Sequence, residues 1–244
     1  GTDDVPVFSY RTNQALISEM IDLGSGSFAS ALDADGDGDM DLVVSNIDHY
    51  DPGFNTNSHL QLFRNIGSGD EPVFQPADED YLSMSAFNET TSFGFAPTFG
   101  DIDQDGDTDA LIGDSQGRLF FFENTAGPGN PPTWASPIYN WQEIQTDNFS
   151  QPRIVDLDRD GLVDLAVGSR LGTIDFFRNL GSVGNPQFNP DIDAEVNIPQ
   201  LGGIDSREPF FFTGYASPAF VADGDDWLIF NMTIEGKMAA YRLP

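Results

Sequence analysis

The chain has 244 residues and a formal charge of −30, from 40 acidic and 10 basic side chains. So acidic a surface repels nucleic acid and anionic lipid, which argues against both as partners. Cysteine is absent, which excludes a disulfide framework and thiol chemistry, while 21 Phe within a 39% hydrophobic composition suffice for a substantial core.

No apolar run approaches the length of a membrane span, and no leader with a charged start and apolar middle is visible. Lys237 is the single lysine, a bias that fits a salty habitat where self-repulsion is screened. One pattern repeats from end to end, which predicts a single domain over 1–244.

Read in order, the chain opens with Val5, Pro6, Val7 and Phe8, a short apolar segment with no unit of its own before it. An apolar stretch over 27–32 leads into an aspartate loop at 33–41, and residues 41–45 leave it as a strand. An insertion at 46–57 replaces what elsewhere is a short hairpin turn; a third strand follows at 60–64 and a short outer one at 72–74. The second unit repeats the order with 96–100, a loop at 101–109 and its strand, a turn at 115–117, then 119–123 and 132–134. The third has 151–155, a loop at 156–164 and its strand, a turn at 170–172, then 174–178 and 186–188. A fourth unit, 217–244, is degenerate: 218–221, 227–230 and 237–242 match the first three strands, but 222–226 is too short for the loop and is expected to hold no metal.

Four antiparallel strands per unit is the pattern of a propeller blade. Phe8 precedes Asp33 by 25 residues and Phe74 precedes Asp101 by 27, so residues 1–10 are in register to supply the missing outer strand of the fourth unit. That would close a ring and remove exposed sheet edges.

The three loops share Asp at positions 1, 3, 5 and 9. These are Asp33, Asp35, Asp37 and Asp41; Asp101, Asp103, Asp105 and Asp109; and Asp156, Asp158, Asp160 and Asp164. Position 6 is Gly38, Gly106 or Gly161, and position 7 is Asp39, Asp107 or Leu162. Carboxylates at alternating positions of a tight turn converge on one point, and the glycine permits the bend. Without a cation such charges repel, and an all-oxygen set suits a hard ion such as Ca²⁺. The alternative, three acidic surface turns, leaves the identical spacing unexplained. Leu162 has no side-chain oxygen, so position 7 is expected to offer its backbone carbonyl. Position 9 is expected to close the site, because position 12 is Val44, Ile112 or Val167 rather than the glutamate of an EF-hand. Three Ca²⁺ ions per chain are expected, which would bring the formal charge from −30 to about −24.

Phe93, Gly94, Phe95, Ala96 and Pro97 precede the second loop, and Phe-Arg-Asn or Phe-Glu-Asn with a glycine turn follows each loop. With these features the loops resemble the calcium turns of FG-GAP/VCBS repeats, the β-propeller units of integrin α-subunits and many secreted bacterial proteins. The resemblance spans nearly the whole chain. It implies an all-β propeller of four-stranded antiparallel blades, here four blades closed by the N-terminal strand. The alternative is part of a seven- or eight-bladed ring. The corresponding function is a secreted, extracellular, calcium-stabilised recognition module, monomeric if the ring closes.

Strand alternation puts the aspartate loops on one face, and the second-to-third hairpins and unit-to-unit links on the other. On that other face the insertion gathers Asp48, His49, Tyr50, Asp51 and Asn55, an aromatic platform with planar polar groups suited to a sugar. The plainer reading is a solvated insertion that caps the ring. The expected partner is a glycan or an extracellular protein, with a spacer domain of a larger secreted protein as the runner-up. Trp134, Tyr139, Trp141 and Trp227 can stack on sugars, although such residues in blades more often pack internally. An enzyme is the weakest reading: there is no Gly-x-Ser-x-Gly, phosphate loop or zinc-binding His cluster, and only His49 with Tyr50 suits a general base.

Overall fold

The structure, a computed structural model, describes residues 23, 26–47, 58–67, 71–88, 92–207, 212–233 and 236–243. Among these the strands form four antiparallel sheets, each laid down in chain order. The first joins β1 (Ala29–Leu32), β2 (Asp41–Ser45), β3 (Leu60–Asn65) and β4 (Phe74–Asp78). The second joins β5 (Ala96–Gly100), β6 (Asp109–Gly113), β7 (Leu119–Phe122) and β8 (Ile138–Tyr139). The third holds β9 (Gln151–Val155), β10 (Asp164–Gly168) and β11 (Ile174–Phe177), and the fourth β12 (Ser217–Asp223), β13 (Asp226–Met232) and β14 (Met238–Leu243). The architecture is all-β, with short 3-10 segments in the links at Tyr81–Phe87, Trp141–Glu143 and Leu201–Gly203.

The middle strands are buried on both faces, which is why they read as continuous apolar runs rather than alternating ones. Alternate side chains go to opposite neighbours. Ala110, Ile112, Phe120 and Phe122 pack with Val43, Leu60 and Leu62 of the first sheet. From the same two strands Leu111, Leu119 and Phe121 pack with Leu165, Val167 and Phe177 of the third. Ala166, Ile174 and Phe176 then turn the other way, onto Ala216 and Ile229. Consecutive sheets are therefore stacked face to face, with the first strands β1, β5, β9 and β12 as successive neighbours.

The outer strands depart from the sequence expectation. β4 begins at Phe74 instead of ending there. Trp134 and Phe188 make only isolated bridges, to Asn124 and Asn179, and the second sheet's fourth strand lies further on, at Ile138–Tyr139. The third sheet has no regular fourth strand. Pro72, Pro132 and Pro186 lack the N–H that a ladder needs, so pairing starts after them or stays local.

Trp134 and Phe188 nevertheless act as plugs between sheets, the first against Phe99 and Tyr81 and the second against Trp141. The equivalent place between the third and fourth sheets is a cavity of about 630 Å³, lined by Leu157, Phe176, Ile198, Leu201 and Leu243 among others. Ring closure by residues 1–10 lies outside the described residues. Within them, no strand pairs with the outer edge of β14.

Candidate metal centres

Each aspartate loop spans the gap between the first two strands of a sheet and is pinned at both ends. Leu32 pairs with Asp41, Gly100 with Asp109 and Val155 with Asp164. Position 6 is left-handed in every copy, with φ of 91° at Gly38, 100° at Gly106 and 92° at Gly161. Such angles favour glycine because a side chain would crowd the backbone. Position 4 is left-handed too, and there Gln104 and Arg159 adopt it as well as Gly36. Their side chains reach the next unit: Gln104 Nε2 donates to Gly161 O at 2.7 Å, and Arg159 Nη2 donates to Gly224 O at 2.8 Å.

The carboxylates are held from behind by backbone amides. At position 1, one oxygen accepts from the position-6 glycine, at 3.0 Å for Asp33, 3.0 Å for Asp101 and 3.1 Å for Asp156. At position 5, Asp37, Asp105 and Asp160 each accept from the amide two residues on. At position 9 both oxygens are engaged. One accepts from the position-2 amide (Ala34, Ile102 or Leu157), the other from the amide of Asn65, Asn124 or Asn179 at the end of the third strand. Those asparagines escaped the sequence reading as parts of the site, although Phe-Arg-Asn and Phe-Glu-Asn had stood out as motifs. Asn179 Oδ1 in turn accepts from Gly181 and Gln187 and so shapes the turn to the outer segment; Asn65 and Asn124 do the same.

Held in this way, carboxylate oxygens of each loop converge. Asp33, Asp35 and Asp37 offer oxygens within 4.8 Å of one another, as do Asp101, Asp103 and Asp109, and Asp156, Asp158 and Asp164. Four of the loop oxygens, Asp35 Oδ1, Asp101 Oδ1, Asp107 Oδ1 and Asp156 Oδ1, are buried with no hydrogen-bond partner. Every loop thus presents at least one orphaned anionic acceptor, an arrangement costly to leave unmatched. Burial, reinforced by the neighbouring carboxylates, pushes Asp109 up to about 7 and Asp164 up to about 6, although two amide hydrogen bonds oppose the shift in each. Asp41, Asp103 and Asp107 are raised for the same reasons, burial first. An all-carboxylate set of this kind fits a hard divalent cation such as Ca²⁺, which would supply the missing positive charge and the missing partner.

The copies are not identical. In the first loop the converging set uses Asp37, whereas in the other two it uses the position-9 residue. At position 7, Asp107 turns its side chain inward, with Oδ2 accepting from Gly127 at 2.8 Å, while Asp39 lies partly exposed and Leu162 offers no side-chain oxygen. The fourth unit carries only the tight turn between Asp223 and Asp226. Arg242 bridges its two carboxylates, at 2.5 Å to Asp223 and 2.7 Å to Asp226. No metal-type grouping occurs there among the described residues.

Asp48, His49, Tyr50, Asp51 and Asn55, the sugar-loop candidates, lie outside the described residues. Of the aromatic candidates, Trp141 is buried and stacked on Phe121. Trp134 donates its indole N–H to Tyr81 Oη, and Trp227 donates to Leu157 O. All three are packing residues. Tyr139 stays exposed, with the Arg118 guanidinium 4.8 Å above its ring.

A succession of antiparallel sheets, the first three each carrying an Asp-Gly loop poised for a cation between its first two strands, defines a β-repeat protein with loops of the calcium-binding type. An FG-GAP-like repeat matches residues 33–112 and again 101–167, more than half of the chain, and the chain belongs to that family. Such repeats build β-propeller-like domains that are often extracellular, and they often bind calcium. No curated protein matches the chain. Among the described residues no helix is long and apolar enough to cross a membrane.

Proposed function

We propose that the chain is a secreted, calcium-stabilised recognition module of β-propeller type that binds a glycan or an extracellular protein surface. The observation behind the metal reading is the orphaned, buried carboxylate oxygen that recurs in all three loops. Asp33, Asp35 and Asp37, Asp101, Asp103 and Asp109, and Asp156, Asp158 and Asp164 would hold one ion each, with Asp39, Asp41, Asp105, Asp107, Asp160 and the backbone at Leu162 completing or orienting the sets. Calcium offsets part of the loops' negative charge and cross-links the first two strands of the first three sheets in place of disulfides.

The ligand face is the one opposite the metal loops. There the hairpins of the second and third sheets are locked to sheet-to-sheet links, as in Ser115 N to Phe93 O at 2.8 Å and Ala216 N to Ser169 O at 2.9 Å. Equivalent link positions carry Gly26, Gly94, Phe149 and Tyr215, all with positive φ. Holding two aromatic residues in that conformation costs about 1 kcal/mol or more each, a strain that tends to mark functional surfaces. Phe93, Phe149 and Tyr215 form a row of half-buried rings with centroids 5.7 and 5.5 Å apart. This row is the surface suited to selective contact, and the Asp48–Asn55 segment is the sequence candidate for the same face. A glycan array in calcium buffer tests the reading, with His49→Ala and Tyr50→Ala expected to weaken any hit without moving the Tm. A blank array from folded, calcium-loaded protein favours the spacer reading instead.

Four blades closed into a ring is the arrangement proposed for the sheets. Val5, Pro6, Val7 and Phe8 repeat the Pro-x-aromatic pattern that delivers the plugs Trp134 and Phe188, and among the described residues no strand pairs with the outer edge of the fourth sheet, which borders the cavity. Deleting residues 1–10 should then leave an aggregating or dimerising chain. A deletion variant that stays monomeric and equally stable would count against closure and favour an arc of a larger ring.

A further inference from the structure

The residue that follows the aromatic end of each third strand differs among the four units. It is Arg64 in the first, Glu123 in the second, Arg178 in the third and Arg242 in the fourth. In the first, third and fourth units its side chain lies beside the aspartate turn of its own sheet. Arg64 Nε lies 3.6 Å from Asp35 Oδ2, at position 3 of the first loop. Arg178 makes a close ion pair with Asp158 Oδ2, at position 3 of the third. Arg242 goes furthest and bridges Asp223 and Asp226 of the unit that has no loop. Only the second unit has an acid there, and among the described residues no cation pairs with Asp101, Asp103, Asp105, Asp107 or Asp109. The second loop also keeps two orphaned buried oxygens, on Asp101 and Asp107, where each of the others keeps one.

We propose that the three calcium sites are graded, with the loop at 101–109 filling first. The residue ending the third strand sets the grade: Glu123 adds to the negative field of its loop, while Arg64 and Arg178 already neutralise a ligand carboxylate and repel an arriving cation. Affinity in all-oxygen calcium loops follows ligand charge and rigidity, and both favour the second loop, whose Asp107 is locked inward by Gly127. The third loop is the weakest, with four aspartates, Leu162 at position 7 and Arg159 at position 4 in addition to Arg178. Arg242 is the limit of the series, a guanidinium standing in place of the ion. This grading rests on the calcium reading of the loops.

The test is calorimetric titration of the metal-stripped full chain with Ca²⁺, with bound ions counted by elemental analysis. Three ions are expected, one bound about tenfold more tightly than the other two. Glu123→Arg should weaken the tight site by about the same factor, while Arg64→Gln and Arg178→Gln each tighten one weak site. Glu123 is exposed, and the Arg64 and Arg178 side chains are 48% and 44% exposed, so all three variants should still fold without metal, with the metal-free Tm shifted slightly up for Glu123→Arg and slightly down for the two Arg→Gln variants. Asp103→Asn identifies the tight site by abolishing it. Three equal sites, or affinities that ignore these substitutions, would overturn the grading and leave calcium binding standing. No bound ion at millimolar Ca²⁺ would instead remove the reading beneath it.

Discussion

Asp164 Oδ1 accepts a hydrogen bond from the backbone amide of Asn179 at 2.8 Å, which ties the last residue of an aspartate loop to the end of the third strand. The same bond joins Asp109 to Asn124 at 3.0 Å and Asp41 to Asn65 at 2.7 Å. Each asparagine passes the connection on through its own side chain to the turn that leads to the outer segment. A metal loop, two strands and an outer turn thus form one hydrogen-bonded unit per sheet. Calcium at the loop would therefore stabilise backbone well beyond its ligands.

Asn179→Ala should be destabilising out of proportion to its size. The side chain is buried, accepts from Gly181 and Gln187, and donates to Val163 O, so truncation strands two amides and a carbonyl. Leaving such groups unmatched should cost about 2 kcal/mol or more. Urea denaturation should show a lower midpoint with an unchanged slope; a loss below about 0.5 kcal/mol would show that the turn does not depend on this residue.

Calcium removal should lower stability sharply. At about 2 mM free calcium and a dissociation constant of about 0.1 mM, one site adds roughly 1.8 kcal/mol, and three approach about 5 kcal/mol. That is comparable to the whole stability of a marginal domain. A Tm indifferent to chelator would contradict the proposal for the loops.

Tyr81 offers a pH signature separate from the metal. Burial holds its phenol up at about 12, partly offset by the indole N–H of Trp134. An unfolded tyrosine titrates near 10, so the unfolded chain loses this proton first as pH rises. The contribution is fully present below about pH 10 and is lost between about 10 and 12, a change on the order of 2–3 kcal/mol. Tyr81→Phe should remove that part of the alkaline decline; an identical alkaline profile would assign it to other groups.

Two glycine substitutions should separate backbone strain from collision. Gly106→Ala and Gly161→Ala both place a side chain at positive φ, which costs about 1 kcal/mol. An added Cβ at Gly161 meets nothing within 4 Å, whereas at Gly106 it would lie 2.8 Å from Pro128 Cγ. Gly106→Ala should therefore be the more destabilising in metal-free protein, as read by the difference in Tm. Equal losses would mean that the Pro128 turn yields freely.

The local features were legible in the residues. Alternating aspartates with a glycine at position 6 state the loop directly, because carboxylate convergence and the left-handed bend depend on residues only a few positions apart. The middle strands were legible from apolar runs, since sheets covered on both faces favour apolar residues on both. Outer strands were misplaced because the prolines that mark them also prevent pairing, so Trp134 and Phe188 plug the sheet interfaces without forming regular strands.

Longer relationships were set only by the tertiary structure. The asparagine amide reaches its aspartate across 15 residues in two units and 24 in the first, a separation without a fixed period. Whether Arg64 and Arg178 face solvent or a loop carboxylate depends on where the third strand ends beside the first turn, which side-chain alternation alone does not set. The sequence by itself determined a repeated acidic loop and the strands around it. Only the fold decided which carboxylate oxygens are spent on amides, which are paired with arginine and which are left without a partner, because each outcome depends on groups brought together by sheet pairing rather than by chain proximity.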